Sequence, residues 1–272
     1  MQNKFDFDYI IIGSGFGGSV AAHRLTEKGY RVAILETGKR FADKDFAKST
    51  WNFRKYFWFP IFKAFGILRM TIFKEVFVLS GAGVGGGSLV YANTLLVPKE
   101  KIWKDPNWEA LNNWAEVMPK FFAIASTMLG VTINPYLSPP DQLLEKVATK
   151  LKLPFYPTQV GVYFGKPGIK TADPYFNGEG PDRTGCTLCG ACMVGCREGA
   201  KNTLLKNYLY FAEKNGAKII PETFVTDIQP LDSSDGSQGY KVTYQNSTQL
   251  LSFRSAQLTA KGVVVAAGVL GT

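Results

Sequence analysis

Histidine is all but missing from this chain of 272 residues: there is one, His23. Cysteine is nearly as scarce, and its four copies, Cys186, Cys189, Cys192 and Cys196, fall within eleven residues of one another. That distribution excludes a disulfide-stapled scaffold, because a staple must join distant parts of the chain. Long apolar runs are absent as well. The longest uncharged stretch, Phe121 to Pro140, turns polar and proline-rich after its first dozen residues, whereas a membrane-spanning helix needs about 20 mostly apolar residues. At the N-terminus, Asp6 and Asp8 lead straight into Tyr9–Ile12, with no apolar leader or small-residue cleavage site, so no secretory signal is expected. These absences predict a cytoplasmic protein in a reducing compartment, where clustered thiols mean metal more often than disulfides. Acids are also short, 22 against 31 basic residues, for a formal net charge of +9. The excess allows an anionic partner without naming one.

What is present is ample material for a core. The chain is 46% hydrophobic and 14% aromatic, with 28 glycines, which suits one large or two modest globular domains. Tyr9–Ile12 reads as a short buried strand, Val20, Ala21, Ala22 and Leu25 as one side of a helix closed by Gly29, and Arg31–Leu35 as a second strand, together a βαβ unit. A helix is expected over Asn107–Leu129, with Pro119 restarting it at a first-turn position. A second is expected from Ser138, whose hydroxyl and Asp141 match a capping box. Residues 154–185 read as loop with short strands, and Thr203–Lys214 as a helix. Strands are expected at Lys218–Ile220, Phe224–Ile228, Tyr240–Tyr244 and Leu250–Phe253, with a hairpin turn at Ser233–Gly239 and a fully buried strand from Val263.

Two glycine clusters carry chemistry. Gly13-Ser14-Gly15-Phe16-Gly17-Gly18 satisfies G-x-G-x-x-G directly after a strand and at the start of a helix, with Glu36 ending the second strand eighteen residues past Gly18. In that context Gly13 makes the turn, Gly15 lets backbone approach a pyrophosphate and Gly18 lets helix meet strand. The helix N-terminus offers free amides to phosphate, and Glu36 can accept from a ribose diol. The second cluster, Gly81-Ala82-Gly83-Val84-Gly85-Gly86-Gly87-Ser88, holds five glycines in seven residues. Each costs up to about 1 kcal/mol in ordering entropy, so a backbone must there pass very close to something. One large flat ligand touched at two distant loops suits a flavin dinucleotide.

At these residues a resemblance enters. The first glycine run, Leu35-Glu36-Thr37-Gly38, Gly83-Val84-Gly85-Gly86-Gly87-Ser88-Leu89-Val90 and the late Val263-Val264-Val265-Ala266-Ala267-Gly268-Val269-Leu270-Gly271-Thr272 resemble the glucose–methanol–choline (GMC) oxidoreductases, most nearly their cholesterol-oxidase-like branch. The resemblance implies an α/β fold: a Rossmann-like FAD-binding domain with an inserted, incomplete α+β cap or substrate region. Its expected boundaries are 1–95 and 196–272 for the FAD domain and 96–195 for the insert. It also implies that Gly13, Ser14, Gly15, Phe16, Gly17 and Gly18 hold the FAD pyrophosphate, and that Glu36 and Thr37 lie at the adenosine ribose. Gly83, Gly85, Gly86, Gly87, Ser88 and Asn93 would run along the isoalloxazine, Val225 would meet the adenine, and Ala267 and Gly268 would pass beneath the cofactor. Asn93 stands slightly off the family's usual position, which Tyr91 occupies. The family oxidises alcohols by hydride transfer to flavin N5, with a catalytic His near the C-terminal end of a chain about twice this long. His23, just beyond the phosphate loop, does not match it and reads as a surface or packing residue. The chain is therefore expected to be an N-terminal portion, its catalytic residues beyond 272, inactive alone.

Cys186-x2-Cys189-x2-Cys192-x3-Cys196 has the spacing of a bacterial ferredoxin iron–sulfur run, although Arg197 stands where a proline usually follows. A 3Fe–4S cluster on three of these thiols, a 4Fe–4S cluster on all four, a structural zinc, and metal-free thiols all remain open. Between Trp51 and Phe77 there are ten aromatics and five basic residues against one acid, Glu75. Two readings stand: a partly buried lid over the cofactor, or an apolar substrate entrance that docks on the inner face of a membrane through residues 51–77. No nucleic-acid fold signature accompanies the charge. The leading expectation is an FAD-dependent oxidoreductase acting on a sterol-like or other apolar alcohol. The alternatives are a sugar or polyol dehydrogenase passing electrons through an iron–sulfur cluster to an acceptor protein, and a non-catalytic flavin- or metal-binding electron-transfer module.

Overall fold

A computed structural model describes residues 4–232, 234–249 and 254–272. Its spine is a six-stranded sheet made of β1 (Phe7–Ile12), β2 (Val32–Leu35), β3 (Lys218–Ile220), β4 (Thr223–Pro230), β5 (Tyr240–Asn246) and β6 (Ser255–Val265), in the order β3-β2-β1-β6-β5-β4. The β3-β2-β1-β6 half is parallel, with Ile10 opposite both Ala33 and Val263. The β6-β5-β4 half is antiparallel. The long β6 belongs to both: Ala260 faces Phe7 of β1 and Tyr240 of β5.

β2 and the Ile10–Ile12 end of β1 are apolar on both faces, as buried parallel strands must be. Ile11, Val32 and Ile34 pack with Ala22 of α1 (Phe16–Glu27) and with Tyr208, Leu209 and Ala212 of α4 (Tyr208–Lys214). Ile10, Ile12, Ala33 and Leu35 join Val242 and Ala260 in a separate cluster. The expected βαβ unit is thus the centre of the fold.

Outside the sheet lie α2 (Trp114–Met128) and α3 (Pro139–Lys150). In α3 the Ser138 backbone amide donates to Asp141 Oδ2 at 2.9 Å, which is the expected capping box. α2 starts later than its composition suggests, after a short turn over Glu109–Leu111, and Pro119 lies inside it rather than in its first turn. α4 is also shorter than expected. Asn207 breaks away from helical geometry and its side chain caps the new start, accepting from the Tyr208 amide at 2.7 Å. β6 is not fully buried. Ala260 is its one buried residue and Val265 is exposed, because no layer covers that end among the described residues. The strand expected at Leu250–Phe253 lies outside the described residues, as does residue 233 of the turn between β4 and β5.

The aromatic stretch forms two hairpins, Trp58–Phe59 with Ala64–Phe65 and Leu68–Ile72 with Phe77–Gly81. Tyr56, Ile67 and Leu68 are buried with Phe46 and Leu89, which fixes the stretch to the second glycine cluster. Its rim is bare: Trp51 is 94% exposed and Ile61 85%.

Candidate dinucleotide site and cysteine pocket

The first glycine cluster turns at the carboxyl end of β1. Gly13 has a φ of +98°, and its amide donates to Leu35 O at 2.8 Å. A Cβ on Gly13 would lie 2.4 Å from Ala266 O and 3.0 Å from Ala267 Cα, so Ala266 and Ala267, just past the end of β6, press directly on the turn. A Cβ on Gly18 would lie 2.0 Å from Gly13 O, the close helix–strand contact expected of the last fingerprint glycine.

The second cluster folds back onto the first. Cβ atoms would strike Gly86 O from Gly81 at 2.3 Å, Gly83 N from Gly38 at 2.0 Å and Gly15 Cα from Gly86 at 2.8 Å. Much of this glycine content therefore serves contact between loops. Gly15 and Gly17 differ: neither has a positive φ, and a Cβ on either would meet nothing within 4 Å. Their bare faces line open space at the N-terminus of α1, where the first-turn amides have no intrahelical partners. Gly87 is nearly as open, its nearest neighbour being a Phe16 ring atom at 3.9 Å, and Gly268 is open too. A cradle of this form, with amides at a helix N-terminus, suits a pyrophosphate.

Glu36 ties the two loops together. Its Oε2 accepts from the Ser14 amide at 3.0 Å and the Ser14 hydroxyl at 2.6 Å, and its Oε1 accepts from Gly38 N at 2.9 Å and Gly83 N at 3.4 Å. Ser14 Oγ in turn accepts from Gly85 N at 3.0 Å. Ser88 Oγ donates to Gly85 O at 2.7 Å and accepts from Leu204 N at 3.1 Å. Thr37 is held through its carbonyl by Ser247 Oγ at 2.5 Å. Val225 sits on β4 beside Tyr244, next to a bulge. The structure thus brings together Gly13–Gly18, Glu36, Gly83–Ser88 and Ala267.

Asn93 goes elsewhere. Its backbone is left-handed, with a φ of +66°, and its buried side chain, whose Oδ1 has no partner, pulls the Cys192 thiol down against burial. All four cysteines line one pocket with Val162, Ala200 and Lys201. The Leu188 amide donates to Cys186 Sγ and the Lys201 amide to Cys196 Sγ, each at 3.4 Å. Burial pushes the Cys186 and Cys192 thiols up. Among the described residues, no three of Cys, His, Asp and Glu converge on a point that a single metal ion could occupy. The expected metal set is therefore gathered in one place but not closed around one ion.

Two cations here carry no signal in the sequence, because lysine and arginine are rarely buried. Lys201 is 1% exposed, and burial pulls its ammonium down to about 7. Arg183 is 2% exposed; its Nη2 donates to Ala200 O at 2.9 Å and to the Asn202 side chain, while Nε and Nη1 have no partner. Burial also raises the Tyr91 phenol, which donates to Asn202 O at 3.3 Å.

His23 packs between α1 and α4, its ring 5.9 Å from Tyr208 and 5.8 Å from Phe211 and its Nε2 3.3 Å from Glu27. It is a packing residue between two helices.

Known proteins agree with this architecture. Residues 11–42 match a family described as NAD(P)-binding Rossmann-like domain, and residues 180–272 match one described as GMC oxidoreductase. The chain is 50% identical to a cholesterol oxidase from Acinetobacter baumannii over 99% of its own length and 50% of that protein's. It is 48% identical to a cholesterol oxidase from Mycobacterium tuberculosis, over 99% of this chain and 47% of that one. The chain thus spans about half the length of these relatives. The fold is also that of pyridoxine 4-oxidase from Mesorbium loti, with a TM-score of 0.58 at 15% identity over 96% of this chain and 49% of that one.

Proposed function

From this chain's membership of the GMC oxidoreductases, we infer that it forms the FAD-binding part of an enzyme that oxidises an alcohol CH–OH group. The observation that carries the reading is the pair of bare glycines, Gly15 and Gly17, at the N-terminus of α1, opposite Gly86 and Gly87. No packing need within the chain accounts for their missing side chains. FAD supplies the hydride acceptor when bound. The amides of Phe16, Gly17 and Gly18 hold its pyrophosphate, and the Glu36–Thr37 edge faces its ribose. Gly87, Ser88 and Ala267–Gly268 border the remainder. The Ser14–Glu36 knot keeps the two loops at the separation the ligand needs.

Support for an apolar, sterol-like alcohol as substrate comes from the two similar cholesterol oxidases and from the exposed apolar rim of the aromatic stretch. That rim, over residues 51–77, also suits contact with a membrane surface, its lysines meeting anionic lipid. No helix among the described residues is long and apolar enough to cross a membrane. The test of the cofactor reading is flavin content. Purified chain, or chain refolded with FAD, should hold one flavin, and Gly15→Val should hold none while staying folded.

A second reading rests on the cysteine pocket. Backbone N–H donors reach two of its four sulfurs, a pattern in which thiolate ligands are held. A cluster of several irons needs no single point of convergence, since each thiol binds a different iron. An iron–sulfur cluster there would let electrons leave singly to an acceptor protein, as in a sugar or polyol dehydrogenase. Iron and acid-labile sulfide in anaerobically purified protein would support it, and their absence together with peroxide formation in air would favour the oxidase.

A further inference from the structure

The geometry points to Phe16 as the residue that recognises the ring half of the dinucleotide, its side chain offering an apolar face to the flavin. This rests on the flavin reading of the glycine cradle. Phe16 opens α1 between the two bare glycines, Gly15 and Gly17. The second loop runs alongside. A Cβ on Gly86 would lie 2.8 Å from Gly15 Cα, and one on Gly87 would lie 3.9 Å from the Phe16 ring. The same ring meets Tyr91 edge-on, with centroids 6.0 Å apart. Tyr91 is itself fixed. Its phenol donates to Asn202 O at 3.3 Å, and Lys201 Nζ donates to Leu89 O at 2.9 Å and to Tyr91 O at 2.8 Å. The Phe16 ring thus has a firm backing in the second loop, yet 40% of the residue stays exposed.

Phosphate binding gives no reason for that ring. A pyrophosphate takes amide donors and the positive end of a helix dipole, and the Phe16 backbone supplies its amide whatever the side chain. Core packing gives no reason either, since Phe16 belongs to none of the three buried apolar clusters among the described residues. An aromatic face beside a bare glycine suits a flat ring system instead, because π-surfaces attract in offset-stacked and edge-to-face arrangements. One residue therefore serves two parts of the ligand: its amide the phosphates, its side chain the ring. A dinucleotide with a broad aromatic half gains a contact that adenosine diphosphate alone does not.

The test compares FAD with ADP, which carries the pyrophosphate and the adenosine but no flavin. Both are titrated into the flavin-free chain, FAD by protein fluorescence and ADP by its competition with FAD. Phe16→Ala should weaken FAD binding on the order of tenfold, the size of one lost aromatic stack, and leave ADP affinity unchanged. Phe16→Tyr keeps the aromatic face and should bind FAD as the wild type does. Circular dichroism should be the same for all three proteins, because the ring lies outside the buried clusters. Equal FAD affinity in Phe16→Ala and wild type overturns the role of the ring and leaves the cradle standing. So does an equal loss of FAD and ADP affinity, which would make the ring a support of the phosphate turn. If the wild-type chain binds neither FAD nor ADP, the flavin reading itself fails, and this inference with it.

Discussion

The Ser14 hydroxyl lies 2.6 Å from Glu36 Oε2, with the Ser14 amide on the same oxygen at 3.0 Å. Both residues are buried. The other carboxylate oxygen takes Gly38 and Gly83, so the acid fills its four acceptor positions with the chain's own donors. A residue that the fingerprint assigns to a ribose is therefore, in this structure, the tie between two loops.

Glu36→Gln should reveal that second role. The amide keeps the volume but presents N–H groups to N–H groups, leaving buried donors unmatched. Unfolding in urea should show a loss on the order of 2 kcal/mol, in protein free of any cofactor. An unchanged midpoint would mean that the knot does not stabilise the fold.

Gly15→Val and Gly18→Ala should fail in opposite ways. Val at Gly15 enters open space from an extended backbone (φ −68°, ψ −166°) and leaves the fold intact while blocking the pyrophosphate. The Cβ of Gly18→Ala would sit 2.0 Å from Gly13 O and must displace helix from strand, so this variant should lose expression or thermal stability. Circular dichroism and flavin absorbance on the same preparations separate the two outcomes.

Acid should destabilise the protein through His23. Burial holds its imidazole below the ordinary value of 6.5, with Glu27 partly opposing. The unfolded chain therefore takes up this proton at higher pH than the folded one does. The stability from the neutral ring is fully present above about 6.5 and is lost as the pH falls through the lower folded value. His23→Phe keeps the packing against Tyr208 and Phe211 and should flatten the pH dependence of the melting temperature as the pH falls below about 6.5. The same slope in both proteins would assign it to another group.

Asn207→Ala removes the cap of α4 and should cost about 1 kcal/mol. Because α4 packs on α1, the loss should appear in global unfolding rather than in fraying alone.

The β1–α1–β2 unit was legible because an apolar run, a glycine turn and a helical face follow in order, and each is a local signal. The cysteine pocket was legible from spacing alone. The interruption at Asn207 was missed because an apolar pattern continues across it, and the exposure of Val265 because composition cannot tell which faces are covered. Least visible were Lys201, Arg183 and the double use of Glu36. A buried charge finds its partners across the fold, about a hundred residues away for Lys201 and Leu89, and no window of sequence contains both ends. The glycines of the second cluster pointed to a close approach, and Gly86 and Gly83 make theirs to Gly15 and Gly38 while Gly87 is left open.

The central claim is that the open faces of Gly15 and Gly17 are a dinucleotide cradle. The most direct measurement is a titration of the flavin-free chain with FAD, followed by protein fluorescence, alongside Gly15→Val. Saturation at one FAD per chain, abolished in a Gly15→Val variant whose circular dichroism matches wild type, is the predicted result. Equal FAD binding by both proteins would contradict it.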